Sequence, residues 1–272
     1  MDRIAKQFSY LESKNRKALI TYIVAGDPSL DMTDILMHEM VASGADLLEL
    51  GVPFSDPMAE GPIIQAAHER ALLNSVNLTQ ILETVGRFRE EDKDTPVVLM
   101  GYANPIEKMG YEKFARAAGD VGLDGVLTVD IPVEEIDFLC NIFAEVGLDS
   151  ILLVAPTSSE ERILRITSKA NGFLYSVALT GVTGDKTLDF NQVKNQVISI
   201  RQFSDLPVVV GFGIKDAKTA KSIASVSDGV VVGSAIVDCL TQSLGTSSMA
   251  IKNVTNLVSA IRVGIDLGAY DL

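Results

Sequence analysis

Eight short apolar runs recur along the chain, each bounded by Gly, Pro or Asp: Ala18 to Val24, Asp46 to Leu50, Pro96 to Gly101, Gly125 to Val129, Ser150 to Val154, Gly172 to Val177, Pro207 to Gly211 and Gly229 to Gly233. Their hydrophobicity is continuous rather than alternating, which predicts strands covered on both faces, as in a parallel sheet inside a ring of helices. Helical patterns lie between them, among others Met32 to Val41, Val133 to Val146, Glu160 to Ser168 and Asp216 to Ala224. The junctions Gly44-Ala45-Asp46, Gly122-Leu123-Asp124, Gly147-Leu148-Asp149 and Asn171-Gly172 each end a helix with a residue that tolerates the left-handed conformation and then enter a strand. Eight such units predict an α/β fold, a (βα)8 TIM barrel. An open doubly wound sheet is the alternative, but it has no reason to stop at eight. Lys252 to Leu267 supplies the last large helix, and Ser234 to Gln242 a short extra one after the eighth strand. An extra N-terminal helix, with Ile4, Phe8 and Leu11 on one stripe, is expected to cover the open bottom of the barrel.

At 272 residues and 47% apolar content, one domain spanning 1–272 is expected. With 36 acidic against 23 basic side chains the formal charge is -13, which disfavours nucleic acid and anionic membrane as partners. A bound phosphate is then expected to be held by backbone amides. Cys140 and Cys239 lack disulfide or metal spacing and fit small buried residues in a reducing, cytoplasmic compartment. Residues 1–17 have no apolar core of signal-peptide length, and no apolar run is long enough to span a bilayer.

The most telling stretch runs from Glu49, at the end of the second apolar run, to the helix start Gly61-Pro62, and contains a second carboxylate, Glu60. Loops after the strands are where a barrel enzyme keeps its chemistry, and a Glu closing a buried strand is costly unless it is paired or working. Glycine turns after the last two strands, Gly211-Phe212-Gly213 and Gly233-Ser234, together with Thr180 to Asp185 after the sixth, predict a site for a phosphate-bearing small molecule. The two histidines, His38 and His68, have no acidic or Cys partner at ligand spacing, and no strand carries a Lys. A metal, a cofactor and a Schiff base are therefore not expected. Acid–base work by carboxylates remains, with Tyr175 near the end of the sixth run as a helper.

Several motifs carry a resemblance: Leu48-Glu49-Leu50-Gly51-Val52-Pro53-Phe54-Ser55-Asp56-Pro57, Gly101-Tyr102-Ala103-Asn104-Pro105, Asp130-Ile131-Pro132-Val133-Glu134-Glu135, Gly181-Val182-Thr183-Gly184 and Gly211-Phe212-Gly213. Over nearly its whole length the chain resembles the tryptophan synthase α subunit family. The resemblance implies cofactor-free cleavage of indole-3-glycerol phosphate to indole and glyceraldehyde 3-phosphate. It also implies transfer of indole to a pyridoxal-phosphate β subunit in an αββα assembly. It makes Glu49 the general acid–base group, position 60 the carboxylate facing the indole N–H, and Tyr175 a third residue of the catalytic centre. Tyr22, Ile64, Met100, Leu127 and Thr183 line its indole slot, with Phe212 beside them. Its phosphate site comprises Gly184, Phe212, Gly213, Gly233 and Ser234. The loops Val52 to Pro62 and Leu179 to Asp189 become lids, and Asp56, Pro57, Tyr102, Asn104, Pro132 and Glu134 match partner-facing positions. The chain departs from the family in one respect, since the family most often places Asp at position 60 and this chain has Glu.

Overall fold

The computed structural model describes residues 2–178, 189–211 and 213–269. Among them nine strands, all paired in parallel, are β1 (Ala18–Val24), β2 (Leu47–Gly51), β3 (Val97–Gly101), β4 (Gly125–Thr128), β5 (Asp149–Ser150), β6 (Leu152–Val154), β7 (Leu174–Val177), β8 (Val208–Gly211) and β9 (Gly229–Val232). The sheet order is β5-β4-β3-β2-β1-β9-β8-β7-β6, so the two end strands are the pieces of one segment broken at Ile151. The Ile151 N–H still donates to Val126 O at 3.0 Å, and the Asn171 N–H to Ser150 O at 3.1 Å, which carries the ring across the break. The result is the TIM barrel read from the eight apolar runs, with the fifth run split in two.

The helices are α1 (Arg3–Ser13), α2 (Leu30–Ala42), α3 (Pro62–Leu73), α4 (Leu78–Glu91), α5 (Ala103–Met109), α6 (Tyr111–Asp120), α7 (Asp137–Glu145), α8 (Glu160–Thr167), α9 (Phe190–Arg201), α10 (Ala217–Ala224), α11 (Ser234–Thr241) and α12 (Ser247–Ala269). Two boundaries differ from expectation. Residues 133–136 form a turn, in which Glu135 N–H donates to Pro132 O at 2.9 Å, so that α7 begins four residues late. Val133 and Ile136 are buried there all the same, and an i, i+3 pair in a turn mimics the helical spacing. At the other end α12 starts five residues before Lys252, because Ala250 continues the buried stripe of Val254, Val258, Ile261 and Ile265 behind two polar serines. Among the described residues no helix is long and apolar enough to cross a membrane.

Two apolar clusters explain the unbroken hydrophobic strands. One joins the outward faces of the strands to the helices; the other fills the barrel interior with Ala18, Ile20, Leu47, Val98, Ile151 and Val209. Ile4, Phe8 and Leu11 of α1 belong to the interior cluster, and the Phe8 ring meets Phe173 at 5.8 Å between centroids. The N-terminal helix is thus the plug of the barrel's lower end, each buried side chain contributing about 2 kcal/mol by removal from water.

The junction signature has a second function. Gly44, Gly122, Gly147 and Gly172 all have positive φ, at 108°, 79°, 76° and 71°. Two residues after the first of them, Asp46 accepts the Leu19 N–H at 2.8 Å and an Arg262 Nη1 bond at 2.7 Å. Asp124 likewise accepts the Val97 N–H at 2.8 Å and Arg89 Nη2 at 2.6 Å. Each aspartate clamps the start of the preceding strand and is itself neutralised by a buried arginine. Asp149 holds the corresponding place with no arginine paired to it among the described residues, and burial, with Asp2 and Asp124 nearby, pushes its carboxyl up to about 7. The cysteines depart from expectation in being half-buried rather than buried.

Candidate active site at the C-terminal rim of the barrel

Alternation along β2 sends Leu47 and Glu49 into the barrel, since successive side chains of a strand point to opposite faces. Glu49 stands in register between Tyr22 of β1 and Val98 of β3. It is 2% exposed, and neither carboxylate oxygen has a hydrogen-bond partner. Burial, with the charge of Glu60 second, pushes its pKa up to about 8, so the group is mostly protonated at neutral pH. Glu60, at the far end of the loop after β2, is half-buried, and desolvation pushes it to about 7. The two acids therefore titrate across neutrality with no arginine or lysine among the causes of either shift.

Two phenols complete this constellation. Burial, then Glu60 and Glu49, raises the Tyr22 hydroxyl well above its ordinary value; burial, then Glu49 and Glu60, does the same for Tyr175. Both rings occupy space that glycine leaves open. A Cβ on Gly51 would fall on the Tyr22 hydroxyl, and one on Gly211 on the Tyr175 hydroxyl. Any side chain at these strand ends would push a phenol out of the site, which is the physical reason β2 and β8 end in glycine.

A cavity of about 710 Å³ opens above these residues. Tyr22, Glu60, Ile64, Met100 and Tyr175 line one part, and Val129, Leu153, Val177 and Val231 extend its apolar wall. Gly213, Lys215, Gly233 and Ser234 line the other part. Gly233 caps α11 without a side-chain bond and its carbonyl takes the Ile236 and Val237 N–H groups, so the Ser234 and Ala235 N–H groups begin the helix without intrahelical acceptors. An apolar slot with the Glu60 carboxyl on its wall, and with helix-start amides and a lysine among its other lining groups, fits a flat ring carrying an anionic tail.

Most residues expected at the site are brought together. Leu127 is not on the wall: it is fully buried, and Val129, the next inward position of that segment, takes its place. Glu49 is also covered rather than wall-lining, at the inner end among Tyr22, Tyr175 and Glu60. Thr183, Gly184 and Phe212, and the lid Leu179 to Asp189 up to its last residue, lie outside the described residues. Tyr102 departs from its expected partner-facing place. It is 1% exposed, stacks on Phe54 at 5.0 Å and accepts the Ala59 N–H at 3.0 Å, so its task is to pin the loop that carries Glu60. Asp56, Asn104, Pro132 and Glu134 are exposed, and Pro57 half-buried. Lys215, Leu153, Val177 and Val231 were not singled out from the sequence. The three apolar residues were legible as the last inward-facing position of each run.

A larger groove of about 910 Å³ lies at the opposite, lower end, beside α1. Its basic side chains are each in an ion pair, Arg201 with Asp228 at 2.8 Å, Lys17 with Asp228 at 3.6 Å and Arg16 with Asp266 at 3.3 Å, and this end of such a barrel serves stability. Among the described residues no group of three or more His, Cys, Asp or Glu could hold a metal ion.

Comparison with known proteins agrees with this geometry. The family model described as tryptophan synthase alpha chain matches residues 8–265. The tryptophan synthase alpha chain of Thioalkalivibrio sulfidiphilus is 52% identical over 266 residues, covering 98% of this chain and 100% of that one. That of Marinobacter nauticus is 50% identical, covering 99% and 100%. The crystal structure of tryptophan synthase subunit alpha from Legionella pneumophila superposes with a TM-score of 0.91 at 43% identity, over 98% of this chain and 99% of that one. The chain belongs to the tryptophan synthase alpha chain family, and its reaction is the lysis of indole-3-glycerol phosphate to indole and glyceraldehyde 3-phosphate.

Proposed function

We propose that Glu49 and Glu60 divide the lysis between them. Glu49, protonated at neutral pH, gives its proton to C3 of the indole ring, which turns the ring into an electron sink. The carboxylate so formed takes the proton of the adjacent side-chain hydroxyl as the carbon–carbon bond breaks, releasing the aldehyde and returning the bonding pair to the ring. The acid is regenerated and no proton is gained or lost. Ionised Glu60 faces the indole N–H and stabilises the positive charge that develops there. Tyr175 and Tyr22 hold the ring edge between apolar walls from Ile64 and Met100. The Gly213 turn, Gly233, Ser234 and the N-terminus of α11 hold the phosphate, and Lys215 adds a charge that the amides lack. Gly184, Thr183 and Phe212 are proposed to complete these two subsites.

The buried, unpartnered Glu49 carboxyl carries this assignment, because such a group is costly to keep unless substrate supplies its missing bonds. The test is indole release from indole-3-glycerol phosphate by the purified chain. Release that Glu49→Gln abolishes supports the roles given; full activity of Glu49→Gln refutes them.

The exposed Asp56, Asn104, Pro132 and Glu134 support a second part of the proposal, docking on a pyridoxal-phosphate β subunit as αββα, in the cytoplasm. Addition of a family β subunit is expected to raise the rate of indole formation, and an unchanged rate at saturating partner would refute it.

A further inference from the structure

His68 lies one turn and a half into α3, 2% exposed, with both ring nitrogens engaged. Nδ1 accepts the Phe54 backbone N–H at 3.0 Å, and Nε2 lies 3.4 Å from the Tyr22 hydroxyl. A backbone N–H can only donate, so Nδ1 must hold a lone pair. Burial keeps the ring neutral by lowering its pKa to about 4. The one ring proton therefore sits on Nε2 and points at the Tyr22 oxygen. The phenol's own proton, excluded from His68, must turn to another acceptor. Tyr22 shares the cavity wall with Glu60 and stands in register beside Glu49, and after burial these two carboxyls act most strongly on its hydroxyl.

We infer that His68 is a positioning residue, which orients the Tyr22 hydroxyl as a hydrogen-bond donor to the Glu60 carboxylate and so aims that carboxylate at the indole N–H. The order runs Phe54 N–H to His68, His68 to Tyr22, Tyr22 to Glu60. It starts on the backbone of the loop that bears Glu60 and returns to that loop's side chain, so loop position and carboxylate orientation are set together. Arg70, two residues further along α3, fixes the helix through paired bonds of 2.7 Å to Asp27, which gives His68 a rigid base.

The inference rests on the indole-lyase reading, and the experiment separates the two. Steady-state indole release is measured for the parent, Tyr22→Phe, His68→Asn, His68→Gln and the double variant Tyr22→Phe/His68→Asn. Asn places an amide oxygen where Nδ1 was, keeping the Phe54 bond and losing Tyr22. Gln reaches the Nε2 position, keeping the Tyr22 bond and losing Phe54. Tyr22→Phe and His68→Asn are each expected to lower kcat about tenfold with KM little changed, less than the loss of a donor that touches the reacting atoms themselves. The double variant should be no worse than either, and His68→Gln should keep most of the parent's kcat. A histidine that merely anchored the loop would give the reverse order, with Gln harmful and Asn benign. That order, an additive double variant, or an unchanged kcat in Tyr22→Phe, which loses only a hydroxyl, would overturn the inference. A parent that releases no indole would instead overturn the functional reading on which it stands.

Discussion

Glu49→Gln should make the protein more stable, and by an amount that grows with pH. The folded carboxyl has a pKa of about 8 against 4.5 for the ordinary side chain. A group with a raised folded pKa contributes its full stability below the unfolded value and loses it as pH rises toward the folded value, because unfolding then releases a proton. The loss is about 1.4 kcal/mol per pH unit between those limits. Between pH 5 and pH 8 it sums to about 3.5 kcal/mol, with the flattening near each pKa included. Gln has the size of the protonated acid and, like it, leaves buried polar atoms without partners, so the two proteins should differ by only about 1 kcal/mol at pH 5.

The assay is urea unfolding of both proteins at pH 5, 6, 7 and 8, with stability compared at equal m-values. Titrating groups uncoupled from Glu49, Asp149 included, are common to both and cancel in the difference, while the coupling to Glu60 is already part of the folded Glu49 pKa. The expected gap widens from about 1 kcal/mol at pH 5 to about 4 kcal/mol at pH 8 in favour of Gln. Parallel curves, staying within about 1 kcal/mol of a constant offset, would show that Glu49 is not held protonated by the fold. That result would remove it as the acid of the reaction, whatever its effect on turnover.

Other expectations follow from neighbouring parts of the site. Glu60→Gln should lower turnover at least about tenfold and remove the rising limb of kcat/KM near pH 7, while Glu60→Asp keeps much of the activity, because charge rather than length stabilises the indole N–H. A pH–rate series on the three proteins checks this. Lys215→Gln should raise KM about three- to tenfold with kcat nearly unchanged, a gap that shrinks at high salt, and titrations at low and high ionic strength decide it. Asp124→Asn should cost about 3–5 kcal/mol in urea unfolding, since it takes the near carboxylate from the buried Arg89, leaving only Asp92 at 4.0 Å, and weakens the clamp on the Val97 N–H.

The barrel was legible because its strands are buried on both faces, so each of the eight runs is apolar without interruption. The break at Ile151 was not, because Ser150 and Leu152 satisfy the same pattern whether or not the ladder skips a residue. Glu49 stood out as a charge at the end of such a run, and Glu60 as the next carboxylate able to face it. Leu127 and Val129 show where one-dimensional reading stops: both point inward, and only the height at which the barrel opens decides which one meets the cavity. His68 was opaque for another reason. Inside α3 it has no partner at helical spacing, and its contacts come from residues 14 and 46 positions away.

The same geometry says why two acids can sit together without a cation. The lower half of the barrel is sealed by α1 and filled with apolar side chains, so the upper half holds the interior's polar groups in a poorly solvated space. Supplying an arginine there would lower both carboxyl pKa values, and Glu49 would reach neutral pH already ionised, a base with no proton to give. Two buried arginines, Arg262 and Arg89, sit instead at the strand starts, on Asp46 and Asp124, where the aspartates also hold backbone N–H groups. Below, Asp46 and Asp124, each paired with an arginine, clamp the strand starts. Above, an unpaired carboxyl costs the fold stability as pH rises and keeps its proton for an incoming ring.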